Sequence, residues 1–232
     1  RTLQAVIGFL EGHSSVQEVR YQPRTPCSAT QIATWEAHNA PWKLPDDLKA
    51  FLTISDGLAL TWEVRFRGRV HPLGNIAVNA LADMTPVPLD VSAEDDRNEG
   101  PRLAHDGTGG ARRPKMPAPL AAFDLDNTCT SGRVALVFVS GSKEPEIWFQ
   151  EMAAKWHLLA RSFTEHFRQM VSHLGLPNWQ YAFTDIGLDP LAQQWFRYLS
   201  PERLAVDLHS GCMRRAKSKS RKHPKRRQST SG

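Results

Sequence analysis

Cysteine is scarce in this sequence: Cys27, Cys129 and Cys212 are odd in number, far apart and never in C-x-x-C spacing. A secreted disulfide scaffold uses more of them, in an even count, and a structural zinc site needs paired ligands. A reduced cytosolic or nuclear compartment is the expectation. Long apolar runs are missing as well. No stretch approaches 18 consecutive apolar residues, which argues against a helical membrane span, and Leu3 to Leu10 is amphipathic rather than signal-like. The chain opens on Arg1 rather than Met, which leaves room upstream for sequence that could hold a targeting segment. Catalytic signatures are lacking too. There is no glycine-rich phosphate loop, no serine nucleophile elbow, no H-E-x-x-H pair and no Cys/His signature, and the chain has no internal repeats.

Acidic residues vanish at the C-terminal end. Nine of the 29 Lys and Arg fall in 211–232 beside no Asp or Glu, which leaves 20 basic against 24 acidic residues in 1–210, a body of net −4. The overall charge of +5 therefore hides a slightly acidic body joined to a basic tail, taken as 206–232. Its cations are Arg214, Arg215, Lys217, Lys219, Arg221, Lys222, Lys225, Arg226 and Arg227. No aromatic residue is interleaved with them, so base-stacking platforms are lacking and a specific nucleic-acid partner is not expected. A polyanion clamp, an import signal and a solubilising tail are the open readings.

The whole 232-residue chain is 41% apolar, enough for one packed domain over 1–205. Leu3, Val6, Ile7 and Leu10 have helical spacing, Val16 to Tyr21 reads as a strand, and Ser28 can cap a helix carrying Ile32 and Trp35. Leu44-Pro45-Asp46-Asp47 opens a third helix that Asp56-Gly57 stops. From Leu58 to Phe66 apolar and polar residues alternate, the pattern of a half-buried strand, and Arg67-Gly68 offers a turn into the next. Pro86 to Pro119 holds six prolines, four glycines and almost no large apolar residue. Such a stretch cannot bury enough surface to offset chain entropy, so 86–118 is expected to be a disordered insertion. Arg133 to Val139 and Glu146 to Phe149 supply further strands. A long helix is expected over Ala154 to Leu174, and a last one opens at Asp189-Pro190, burying Leu191, Trp195, Phe196 and Leu199. Helices, then strands, then helices again predict an α+β fold with one mainly antiparallel sheet flanked by helices.

Three features invite chemistry. Phe123-Asp124-Leu125-Asp126-Asn127-Thr128 matches the first motif of haloacid dehalogenase-type phosphatases, in which the first aspartate attacks phosphorus and the second is acid and base. Such sites end a parallel strand and lead towards a helix, whereas Thr128 to Gly132 runs straight into another strand. No lysine and acidic pair follows. A hairpin end is the expectation, with a Mg²⁺-dependent phosphatase using Asp124 and Asp126 as the rival. His166 and His173, seven apart on the long helix, lack zinc-ligand spacing and read as packing residues. Of seven tryptophans, Trp62, Trp156 and Trp195 fit core positions, while Trp42 and Trp179 lie in loop-like segments. One of those two is expected in a partner interface. No catalytic, cofactor-binding or metal-ligating residue is assigned.

At His173-Leu174-Gly175-Leu176-Pro177-Asn178-Trp179-Gln180-Tyr181-Ala182-Phe183-Thr184, continuing through Gly187 and Gln194-Trp195-Phe196, the chain resembles the tubulin polyglutamylase complex subunit 2 family. Further blocks agree in order: Trp35-Glu36, Pro45 with Asp47 and Lys49, Gly57 with Thr61-Trp62, Pro72-Leu73-Gly74, and Glu146-Ile147-Trp148-Phe149. The helix-to-Gly57 segment also resembles the SUKH superfamily of α+β adaptor and immunity domains. The resemblance implies a non-catalytic accessory or scaffold subunit of a complex that adds glutamate side chains to tubulin. It implies a tubulin tyrosine ligase-like catalytic partner, further complex subunits and tubulin as partners, and no cofactor. The implied location is the cytoplasm and cytoskeleton, including the centrosome, centriolar satellites and the base of the cilium. The insertion and the tail depart from the resemblance, and no binding residue is carried over by it.

Overall fold

The structure is a computed structural model that describes residues 2–89 and 119–210. In chain order the elements are α1 (Thr2–Gly12), β1 (Val16–Gln22), α2 (Ala29–His38), α3 (Asp46–Leu52), β2 (Leu58–Phe66), β3 (Arg69–Val78), β4 (Pro119–Asp126), β5 (Gly132–Val139), β6 (Glu146–Glu151), β7 (Trp156–Ala160), α4 (Phe163–Ser172) and α5 (Pro190–Leu199). Short 3-10 turns occupy Leu81–Asp83 and Trp179–Phe183, and residues 201–210 are helical. The fold class is α+β, as expected. Internal contacts divide the chain into two compact units. Among the described residues one gathers 2–21, Leu60–Ile76 and 168–210, the other Gln22–Ala59, 77–89 and 119–167.

Where one sheet was expected there are two. β1, β2 and β3 form a three-stranded sheet in that order, and β4 to β7 form a four-stranded antiparallel meander. The ladder does not pass from β3 into β4. Instead Asn79 donates its backbone N–H to the Leu125 carbonyl (2.8 Å). Its side-chain amide donates to the Asp124 carbonyl (3.1 Å), and its Oδ1 accepts from the Asn127 N–H (3.0 Å). One backbone bond and two side-chain bonds thus tie Asn79 to the end of β4.

In the first unit the alternation of β2 delivers Leu60, Trp62 and Val64 to a core with Leu10, Ile76, Met170, Leu174, Leu176 and Phe196. Trp62 packs directly over Gly74 and donates its indole N–H to the Leu174 carbonyl (2.9 Å). Phe66, expected on the buried face, is 37% exposed. It is the last residue of β2, beyond the cover that buries Val64.

In the second unit Ser28 closes a capping box with Gln31 at the start of α2, satisfying helix N–H groups that would otherwise be orphaned. Glu36 Oε1 accepts from the Leu44 N–H (3.0 Å) and pairs with Lys49 Nζ (2.9 Å), clasping α2 to the start of α3. Pro45 is the N-cap of α3, so the helix itself starts at Asp46. In the meander, Ala122, Ala135, Val137, Val139, Trp148 and Val87 make one buried cluster.

Four further expectations are corrected. The long helix over Ala154 to Leu174 does not form: Trp156–Ala160 is strand β7, paired antiparallel to β6, and α4 starts only at Phe163. Ala154 adopts φ 63° and its N–H returns to the Glu151 carbonyl, so the chain turns back along β6. Ser162 then caps α4, its Oγ accepting from the Glu165 N–H (3.2 Å). In α5 the buried face is Ala192, Phe196 and Leu199, whereas Leu191 is 62% exposed and Trp195 is half-buried. The expected insertion starts too early at 86. The Val87 N–H bonds the Ala122 carbonyl (2.9 Å), and Pro86 forms a bridge with Phe123. Residues 90–118 lie outside the described residues. Likewise 206–210, assigned to the tail, belong to the helix over 201–210, and 211–232 lie outside the described residues.

Candidate functional site

The paired aspartates sit where the hairpin reading put them. β4 is an edge strand paired antiparallel to β5, and Asp124 and Asp126 are its last carboxylates before the turn. The register slips between them, with Asp124 opposite Ala135 and Asp126 opposite Val134. Asp124 Oδ2 lies 3.5 Å from Arg133 Nε on the neighbouring strand. Burial raises the Asp124 carboxyl above the usual range, and the Arg133 guanidinium opposes this. Asp126 is raised by burial too, against hydrogen bonds from Thr128, whose N–H lies 2.9 Å from Oδ1. These carboxylates close a turn and an interstrand ion pair. A haloacid dehalogenase-type site holds its pair at the end of a parallel strand, converging on a cation. Among the described residues no group of three His, Cys, Asp or Glu is placed to hold a metal ion.

Among the described residues both thiols, Cys27 and Cys129, are held in the protonated form. Burial, then the Asp56 carboxylate, pushes Cys27 up to about 12, and burial pushes Cys129 up to about 12.

The two histidines belong to the interior. His166 is 1% exposed, and burial lowers its imidazole to about 4. His173 is fully buried, with Nδ1 2.6 Å from the Gln169 carbonyl and Nε2 3.0 Å from Asp207 Oδ2. Burial raises the Asp207 carboxyl, but hydrogen bonds from His173 and Arg203 outweigh it and leave Asp207 below the usual carboxylate range. Arg203 reaches Asp207 Oδ1 through Nε at 2.9 Å and through Nη2. Sequence reasoning missed this ion cluster. Its sole local signal is the i, i+4 spacing of Arg203 and Asp207, which many solvent-exposed helices share.

Of the two tryptophans set aside for an interface, Trp179 is 3% exposed and stacks on His173 with ring centroids 5.0 Å apart. Trp42 is half-buried, 5.0 Å from the Phe138 ring, and lines an open depression of about 300 Å³ with Pro86, Val87, Leu89, Leu120 and Phe123. Of the two, Trp42 is thus the one that retains exposed surface. The basic residues Arg214, Arg215, Lys217, Lys219, Arg221, Lys222, Lys225, Arg226 and Arg227 lie outside the described residues.

Together these features define an α+β protein of antiparallel hairpins whose conspicuous carboxylates and histidines hold turns and helices in place. Over 211 residues the chain is 32% identical to tubulin polyglutamylase complex subunit 2 of Rattus norvegicus, covering 84% of this chain and 69% of that protein. Over 208 residues it is 34% identical to the Homo sapiens protein of the same name, covering 83% and 67%. The Mus musculus protein gives 32% over 211 residues, covering 84% and 69%. The chain belongs to the tubulin polyglutamylase complex subunit 2 family. No family model matches it, and no solved structure matches it.

Proposed function

We propose that this chain is a non-catalytic accessory subunit that scaffolds a tubulin polyglutamylase complex. The observation that carries the reading is its similarity, along 83–84% of its length, to proteins named as the second subunit of that complex. The use of Asp124 and Asp126 in a hairpin end and an Arg133 contact supports it, because the most conspicuous catalytic motif is then spent on structure. In this reading a tubulin tyrosine ligase-like subunit supplies glutamate ligation. The chain contributes contacts to that enzyme, to the other subunits and to tubulin, and it needs no cofactor. It works in the cytoplasm on the cytoskeleton, at the centrosome, centriolar satellites and the base of the cilium, without membrane or specific nucleic-acid contacts.

Co-purification tests it. Tagged full-length chain should retain a ligase-like polyglutamylase and tubulin from a ciliated-cell lysate, and Asp124→Asn with Asp126→Asn should leave that retention unchanged. Turnover of a generic phosphate ester that requires Mg²⁺ and disappears with Asp124→Asn would replace this reading with a phosphatase.

A further inference from the structure

Helix α5 carries two apolar faces, and the fold covers one of them. Ala192, Phe196 and Leu199 recur at i, i+4 and i+7 and are buried. Leu191, Trp195 and Tyr198 recur at the same spacing on the adjoining face, and they are respectively 62% exposed, half-buried and 43% exposed. Phe66, at the end of β2, extends this second face. Its ring lies 5.4 Å from Trp195 and 6.0 Å from Tyr198, both edge-on. Tyr198 in turn meets the His13 ring at 6.0 Å. The result is a continuous aromatic row on one compact unit, with Leu191 at its helical end.

The rim of this row is cationic. The β2–β3 hairpin reads Arg65-Phe66-Arg67-Gly68-Arg69, and no acidic residue occurs between Val64 and Ala82. Arg67 and Gly68 both have positive φ, 51° and 78°, and Arg67 places its guanidinium 5.3 Å from the centre of the Phe66 ring. Arg65 donates through Nε and Nη2 to the Gln17 side-chain oxygen (3.0 and 2.9 Å), and Arg197 on α5 reaches Gln193. Among the described residues none of Arg65, Arg67, Arg69 and Arg197 forms an ion pair with a carboxylate; the neighbouring Glu18 and Glu63 are both engaged by Arg20.

From this juxtaposition we propose that the Phe66–Trp195–Tyr198 row and its arginine rim dock an acidic segment of a partner protein that carries apolar side chains. Leucine-like groups seat on Leu191, Trp195 and Phe66, and carboxylates meet the planar, bidentate guanidiniums around them. Nucleic acid fits less well: the rings are packed edge-on against one another, and the body over 1–210 bears net −4, which disfavours a long polyanion. The inference goes beyond membership of the complex and does not depend on it.

The test must separate this patch from the basic tail, whose nine cations would attract any acidic peptide. Fluorescence anisotropy on the full chain compares two labelled peptides of equal negative charge, one with leucines at helical spacing and one with serines there. The wild type should bind the leucine peptide about tenfold more tightly, a difference of about 1.4 kcal/mol. Leu191→Ser with Tyr198→Ser should abolish that preference, and Arg67→Glu with Arg69→Glu should bring the leucine peptide down to the level of the serine one. Leu191→Ser alone, at an exposed position, should halve the preference or more, and it stands in if the double variant fails to fold. Retention of the full preference by these variants overturns the proposal. So does a labelled oligothymidine or oligouridine that binds more tightly than the leucine peptide and is lost in the same variants. Sedimentation of the wild type as a dimer that Leu191→Ser dissociates also overturns it, since a second copy would then be the occupant. Loss of the co-purification described above, with the peptide preference intact, would count against the complex and leave the docking surface standing.

Discussion

Gly74 shows how closely single residues are fitted. A Cβ built there would stand 1.7 Å from Trp62 Nε1, the atom that donates to the Leu174 carbonyl. Gly74→Ala should therefore displace a fully buried indole and break its hydrogen bond. Overpacking and an unsatisfied donor each cost about 1–3 kcal/mol, so a loss of roughly 3 kcal/mol is expected in urea denaturation. Gly8→Ala, in α1 with open space around it, should instead stabilise by up to about 1 kcal/mol through helix propensity. Equal effects at the two sites would mean that Trp62 is not pinned. His166 contributes to the acid limb of stability. Its folded imidazole titrates at about 4 against 6.5 for the ordinary group, so the native state resists protonation. Its favourable contribution is complete above pH 6.5, declines as the pH falls below 6.5, and is gone near 4, amounting to about 3 kcal/mol over that window. Melting temperature measured from pH 7 to 4 should fall less steeply in His166→Gln than in the wild type.

At the scale of elements, the helix that became a strand is the instructive case. Trp156, Leu159 and Phe163 fit a helical stripe, yet Trp156 to Ala160 pairs with β6 because that edge supplies interstrand bonds and a buried cluster beside it. Periodicity over five residues cannot separate the two outcomes; the S-x-x-E pattern at Ser162 to Glu165 does mark the true helix start. The stretch between β3 and β4 gives a second prediction. Val87 and Ala122 are hydrogen-bonded at 2.9 Å, so the two ends of the intervening chain are already side by side. Loop-closure cost changes by only about 0.6 kcal/mol per doubling of length, so deleting residues 95–117 should shift the melting temperature by a few degrees at most. A drop well beyond that would show that the deleted residues pack against the body.

For the whole molecule the decisive quantity is the split in charge. Nine cations without an acid follow residue 210, behind a body of net −4. If the tail holds the complex near acidic tubulin tails, truncation after Ser210 should weaken microtubule pelleting at low salt, fade as salt shortens the Debye length to about 8 Å, and leave subunit binding intact. Equal pelleting across the salt titration would reduce the tail to an import or solubilising segment. The charge split, the α+β class, the caps at Ser28 and Asp189, and the hairpin fate of Asp124 and Asp126 all follow from local pattern: period, turn chemistry and composition act over a few residues. Some of the recognisable blocks acquired their reasons only in three dimensions. Glu36 and Lys49 form one ion pair, and Trp62 and Gly74 form one packed contact. The two-sheet division, the His173–Asp207–Arg203 cluster and the open aromatic row of α5 came from the tertiary structure alone. Each depends on residues brought together from distant points in the chain, and on which of two apolar faces the rest of the fold happens to cover.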